Sequence, residues 1–386
     1  MNNKIFFDVL LPRVVYLPYF VAKAVLLFMS PVHRLSGSQP AKTINSTLCI
    51  EAGVKGWESI EFKELYQSAC EYLQPENVHQ LIVHPEKNYI KQVSSALSTK
   101  RITHYLYDPR TGGSGFWLRL WQSLRLAILL QKHDVVPIVL MSDISLRISR
   151  AQSAIVSARK GVAISFMSSK CAASFFPHRR LIGPSLMPFS VKTKQMLDVL
   201  IEQRQQNMPA KAIFVGSLYE PRTTTLEKVR SGLEARGFEF EIQGRIVGSP
   251  RVSDHDYWTK LCYSDIVFTT AEQGIHYKTS SGRMVQRGAD RIDIPQLVYR
   301  YLEATACGAL LVAPDVPSVR RYFTPNEHFI SFDSPENAIE VISHFLANET
   351  ERRKIAKCGK ERADALISSR CFWILVDSSL GSDSIY

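Results

Sequence analysis

Short apolar runs and longer amphipathic ones alternate along this chain twice over, and that alternation constrains the fold more than any other feature. Strand-like runs occur at 47–50, 80–83, 103–107, 135–141 and 162–166, with helical periodicity at 62–73, 88–97, 116–130 and 144–158. Strand–helix–strand alternation predicts a parallel sheet with helices on both faces, because parallel neighbours need a long crossover. Pro137 places the fourth run at a strand start or on a sheet edge. After the polar stretch 202–209 the pattern starts again, with strands at 212–215, 238–242, 266–269 and 309–313. Its helices show a Leu226/Val229/Leu233 stripe closed by Gly237, segments at 257–263 and 296–307 (the latter stopped by Gly308), a Ser334-Pro335 start running to 346, and a basic helix from Thr350.

The expected architecture is therefore α/β, with two Rossmann-like doubly wound domains facing a cleft. Boundaries are expected at 1–40 (N-terminal helix and linker), 41–205, 206–368 and 369–386 (C-terminal helix and tail). A chain of 386 residues accommodates two such domains at about 150 residues each. In open sheets of this kind ligands bind at the carboxyl ends of the strands, so the loops there are the candidates for chemistry.

Charge narrows the partners. A formal net charge of +11 fits an anionic partner, whether nucleic acid, membrane or phosphorylated substrate. The cations read as scattered among helices, without the one-sided cluster and interleaved aromatics of a nucleic-acid face, so no nucleic acid is expected. Seven cysteines, with no CxxC pair, predict buried thiols in a reducing, cytoplasmic compartment. Residues 5–29 are apolar, but Asp8, Pro12, Arg13, Pro18 and Lys23 interrupt them too often for a spanning helix. With Tyr16, Tyr19, Phe20 and Phe28 among flanking cations, the segment reads as a helix lying in the inner face of the plasma membrane. The alternative is an ordinary helix packed on the protein body.

In the second series, Gly216 follows a strand and Arg222 opens the next helix, an arrangement suited to a diphosphate. Gln296 and Glu303 lie seven residues apart, two helical turns, and so share a face on a helix over 296–307. A carboxylate there can accept both hydroxyls of a ribose; otherwise it is an ordinary surface glutamate. In the first series, Asp108 and Arg110 sit in the loop after the 103–107 strand, where Asp108 can deprotonate a hydroxyl and Arg110 can hold a phosphate; otherwise the loop is a turn that Asp108 caps. Glu51 and Gly53 belong to the matching first loop. His178, in the cationic run Pro177-His178-Arg179-Arg180 suited to an anionic acceptor such as a lipid-linked phosphate, is the second catalytic candidate; otherwise it is a structural histidine. No HxxxE/H or DxD pattern marks a metal site, so neither metal nor cofactor is expected, and Arg222, Arg300 and helix N-termini are left to offset phosphate charge.

The stretch Glu303-Ala304-Thr305-Ala306-Cys307-Gly308-Ala309-Leu310-Leu311-Val312 resembles the "E-A-x-A-x-G" segment in the nucleotide-sugar half of GT-B glycosyltransferases, nearest to the group 1 C-terminal domains. Val316-Pro317-Ser318-Val319, Phe332-Asp333-Ser334-Pro335-Glu336 and Gly359-Lys360-Glu361-Arg362-Ala363 continue the resemblance in order. It implies a metal-independent glycosyltransferase with a nucleotide-sugar donor and a glycan or lipid-linked acceptor. It also implies that Glu303 binds the donor ribose, that Arg222 lies near the diphosphate, and that Thr270 and Glu272 lie where the base is read. Gln296 stands where the family's E-x7-E motif has its first glutamate, so an amide would meet the sugar. The alternatives are a GT-B-fold nucleotide-sugar epimerase and a non-enzymatic basic binding protein. The polar insert 276–293 reads as a lid or partner loop.

Overall fold

The computed structural model describes residues 47–54, 60–84, 86–108, 116–141, 161–166, 181–204, 211–245, 252–271, 277–278, 284–285, 297–367 and 369–381. The interfacial helix expected within 1–40 and the helix expected over 144–158 lie outside the described residues. The chain divides into two compact units, Met1–Met187 with Ser369–Tyr386, and Pro188–Ser368.

The first unit holds strands β1 (Leu48–Val54), β2 (Val78–Val83), β3 (His104–Tyr107), β4 (Val136–Met141), β5 (Val162–Ser165) and β6 (Leu181–Ile182). They form one parallel sheet in the order β2-β1-β3-β4-β5-β6. Helices α1 (Ile60–Leu73), α2 (Tyr89–Thr99) and α3 (Phe116–Lys132) make the crossovers. Asn88 starts α2 by accepting a hydrogen bond from the Lys91 amide. All four residues of β3 are buried, as are those of β5, as expected of strands covered on both faces. Pro137 is the second residue of β4, opposite Tyr105, and β4 lies inside the sheet. The strand-start expectation holds and the edge expectation does not. The neighbouring chain accommodates the ring at Gly161, where a Cβ would stand 2.5 Å from the Pro137 carbonyl oxygen.

The second unit contains α4 (Val191–Gln203), β7 (Ala212–Ser217), α5 (Arg222–Glu234), β8 (Phe240–Arg245), α6 (Asp254–Cys262), β9 (Ile266–Phe268), a short antiparallel pair β10 (Tyr277–Lys278) and β11 (Met284–Val285), α7 (Arg300–Ala306), β12 (Leu310–Pro314), β13 (Ile330–Phe332), α8 (Pro335–Ala347) and α9 (Glu349–Leu366). Its parallel sheet runs β13-β12-β9-β7-β8. The α5 stripe Leu226, Val229 and Leu233 is buried in one core with Phe214, Phe240, Ile342 and Phe345. Each such side chain contributes about 1.5–3 kcal/mol on burial. Ser334 caps α8 through the Asn337 amide, and Ser253 caps α6 through that of Asp256. Arg352 on α9 is buried; its Nη1 donates to the Phe345 carbonyl near the end of α8 at 2.7 Å, and its Nη2 lies 3.4 Å from Asp265. A cation there satisfies carbonyls that a helix end leaves open.

Three features depart from the expected layout. Helix α7 begins at Arg300, and Leu297 and Val298 are not helical, so the expected helix over 296–307 is shorter than its periodicity suggests; Gln296 itself lies outside the described residues. Tyr299 is held at the entrance of α7 instead: its ring packs on Phe189 and its hydroxyl donates to the Pro188 carbonyl at 3.1 Å. The last helix, α10 (Ser369–Gly381), belongs to the first unit, where it packs on α1. Trp373 is fully buried and donates from Nε1 to Ser68 Oγ at 3.0 Å, while the Tyr72 hydroxyl donates to Asp377 at 3.3 Å. The division between units falls at Pro188, ahead of α4, whereas the sequence pattern placed it after that helix.

Candidate active site

Each sheet has one place where strand order reverses. In the first unit the chain runs from β1 out to β2 and then returns to the other side of β1 as β3; in the second it runs from β7 to β8 and returns as β9. Carboxyl ends of strands at such a switch point diverge, and ligands bind there. The two switch points are β1/β3 and β7/β9.

Arg222 spans the second of these. It is the first residue of α5 and only 9% exposed. Its Nε donates to Thr270 Oγ1, just beyond β9, at 2.8 Å, and its Nη1 donates to the Ser217 carbonyl, the last of β7, at 3.1 Å. The guanidinium lies over the Tyr219 ring at 4.1 Å and the Phe214 ring at 5.5 Å. That hydroxyl and that carbonyl fix the orientation of the guanidinium between the two strand ends. The loop carrying Tyr219 is set by a pair of glycines, since Gly216 and Gly244 face each other across β7 and β8. A Cβ on Gly244 would fall 2.2 Å from the Leu218 side chain, so β8 has to be bare for the loop to lie on it.

Arg300 reaches the same strand end from α7. Its Nη2 donates to the Val215 carbonyl at 2.7 Å, and its guanidinium lies 5.1 Å from the centre of the Tyr257 ring. Glu303, one turn further along α7, is buried, unlike an ordinary surface glutamate. Its Oε1 accepts from the Tyr257 hydroxyl at 2.6 Å, and its Oε2 lies 3.5 Å from Arg300 Nη1. Arg222 with Thr270, and Arg300 with Glu303, thus form two contact pairs anchored on the β7 carbonyls of Ser217 and Val215, on either side of Gly216. Glu272 lies outside the described residues. Tyr257 did not stand out in the sequence; on α6 it reads only as part of an apolar stripe with Trp258 and Leu261, all buried.

The first switch point is built from acids and phenols. Glu51 lies within β1, not in the loop after it, and is fully buried. Its Oε2 accepts from the hydroxyls of Tyr105 on β3 at 2.7 Å and Tyr89 on α2 at 2.9 Å. The Tyr107 ring stacks on Tyr105 with centres 5.9 Å apart. Burial, then the Glu51 charge, pushes the phenols of Tyr89, Tyr105 and Tyr107 well above the ordinary tyrosine value, so all three stay protonated donors. Burial, with Glu51 adding to it and Lys100 opposing it, pushes the Cys49 thiol up to about 12. Asp108 follows Tyr107 directly, at the carboxyl end of β3, and is 3% exposed. Gly53 is a residue of β1, while Arg110 and His178 lie outside the described residues. Among the described residues no three His, Cys, Asp or Glu side chains group to hold a metal ion.

Two parallel α/β units of this kind are the GT-B architecture, and solved glycosyltransferases share the fold. A glycosyltransferase from Rickettsia africae matches with a TM-score of 0.50 at 9% identity, over 88% of this chain and all of that one. The Anabaena protein HepE, solved in complex with UDP-glucose, matches at 0.52 and 10% identity over 86% and 99%. Sucrose-phosphate synthase from Thermosynechococcus elongatus matches at 0.50 and 11% over 85% and 96%. Residues 222–370, from Arg222 onward, match the family model described as glycosyl transferase-like. No curated protein matches it in sequence.

Proposed function

We propose that the chain transfers a glycosyl group from a nucleotide-diphosphate sugar to a hydroxyl of a glycan or lipid-linked acceptor, at the cytoplasmic face of a membrane and without a metal ion. The observation that carries this reading is the pair of arginines anchored on carbonyls two residues apart at the end of β7, Arg300 on Val215 and Arg222 on Ser217. Two fixed cations at a strand end and a helix N-terminus are what a diphosphate needs as a leaving group, because charge builds on it as the glycosidic bond breaks. Glu303 takes the ribose hydroxyls, held in place by Tyr257. The UDP-glucose bound to HepE supports a donor of this class.

In the transfer, the acceptor oxygen bonds to the anomeric carbon, the bond from that carbon to the diphosphate breaks, and the electron pair leaves with the diphosphate. The acceptor proton passes to a carboxylate, for which Asp108 is the candidate. A thermal-shift panel of UDP, GDP, CMP and dTDP, alone and as sugar conjugates, tests the donor site, since a ligand raises the melting temperature as its concentration exceeds Kd. One base should stabilise the protein. Glu303→Gln keeps an acceptor for the Tyr257 hydroxyl and should lose most of that shift; an undiminished shift removes Glu303 from the site. Turnover of the donor sugar into its epimer without acceptor would replace transfer by epimerisation.

A further inference from the structure

Between residues 87 and 133 the sequence has eight lysines and arginines and one acid, a net +7 within a chain total of +11. That acid is Asp108, which is buried at the end of β3. The segment contains α2 and α3, which pack against one another. Lys91 at the start of α2 and Lys100 just past its end are exposed.

Helix α3 has no acidic residue in its 17 positions. Trp121, Arg125, Ile128 and Lys132 follow at spacings of four, three and four, which places them in one line along the helix. Trp121, Arg125 and Lys132 are exposed and Ile128 is half-buried. At 58%, Trp121 is the most exposed large hydrophobic side chain among the described residues. No helix among the described residues is long and apolar enough to cross a membrane. At about 1.5 Å per residue α3 is roughly 26 Å long, and its cations exclude it from the hydrocarbon centre.

We propose that α3 lies in the plane of an anionic membrane surface, with Trp121 and Ile128 entering the headgroup boundary and Arg125 and Lys132 meeting lipid phosphates. Indole rings favour that depth, and juxtaposed cations add attraction to an anionic leaflet. An aliphatic side chain in the line favours acyl chains over nucleic acid, whose backbone and base edges offer Ile128 no apolar partner. The inference deepens the membrane contact in the reading above and is independent of the donor chemistry.

The test is co-sedimentation of the full chain with vesicles of phosphatidylcholine alone or with phosphatidylglycerol added, in the absence of nucleotide sugar. The parent should bind the anionic vesicles and leave the neutral ones largely unbound. Arg125→Glu with Lys132→Glu should weaken binding roughly tenfold or more. Trp121→Ser should weaken it several-fold and remove the quenching of tryptophan fluorescence by brominated lipid. Lys354→Glu with Lys357→Glu, an equal charge change at exposed positions on α9, should bind like the parent. Melting temperatures of all variants should match, since every altered side chain is exposed. Unchanged vesicle binding by the α3 variants, or an equal loss in the α9 control, overturns the proposal. So does a parent that ignores vesicles and binds single-stranded RNA through the same residues. A protein that binds vesicles as described but shows no nucleotide stabilisation would retain this surface and lose the donor reading.

Discussion

The two switch points occupy the same place in two similar sheets and carry opposite chemistry. At β7/β9 the side chain that crosses between strands is Arg222, seated on a carbonyl and a hydroxyl, with Arg300 beside it. At β1/β3 it is Glu51, whose carboxylate is bonded by phenols from β3 and α2, with Asp108 at the neighbouring strand end. A cationic crossing attracts phosphates, whereas an acidic one favours hydroxyl donors and proton acceptance. Shared topology supplies the crevice, and the residue that spans it decides what the crevice can hold.

The largest expected effect separates the two sites directly. Asp108→Asn should lower turnover by about 10²–10⁴-fold while nucleotide affinity, read by calorimetry, stays within a factor of two to three. Arg222→Met should do the reverse first, weakening nucleotide-diphosphate binding by roughly 10–100-fold, as befits loss of a charge-assisted contact. If both variants lose affinity equally, the division of labour is wrong.

The next effect is on stability. Glu51→Leu strands the hydroxyls of Tyr89 and Tyr105 without their acceptor, and urea unfolding should show a loss of about 2–4 kcal/mol. Adding Tyr89→Phe and Tyr105→Phe should recover part of it, because the orphaned donors go with their oxygens.

The smallest effect is a pH dependence. The Cys49 thiol titrates higher folded than unfolded, so the folded state holds its proton longer; its contribution is complete below pH 9 and declines as pH rises toward about 12. Cys49→Ala should flatten the fall in stability above pH 9 by up to about 1.4 kcal/mol per pH unit. A parallel fall in both proteins would place the alkaline sensitivity elsewhere, for instance at Tyr301, whose phenol burial also pushes upward.

Alternation made the two sheets legible in the sequence, because apolar runs at β3 and β5 and stripes such as Leu226/Val229/Leu233 are local signals. Arg222 was legible too, since its place just after a glycine-bearing strand end is a feature of sequence order. The phenol cluster was not: Tyr89 lies 38 residues from Glu51 and Tyr105 lies 54, and it takes the pairing of β1 with β3 and the packing of α2 to bring them together. The late start of α7 escaped for a similar reason, because helical periodicity continues through Tyr299 while its bond to Pro188 is tertiary. The cations of 87–133 read in sequence only as part of a scatter among helices, because strand β3 separates α2 from α3 along the chain.

The return of α10 to the first unit sets an order of events during synthesis. The β7–β13 sheet and its helices can fold as soon as they emerge from the ribosome. The earlier-made unit must wait for Trp373 to arrive and cover α1, with the Ser68 hydroxyl ready to receive the indole N–H. A nascent chain arrested near residue 368 would therefore display a finished second unit tethered to an unsealed first one.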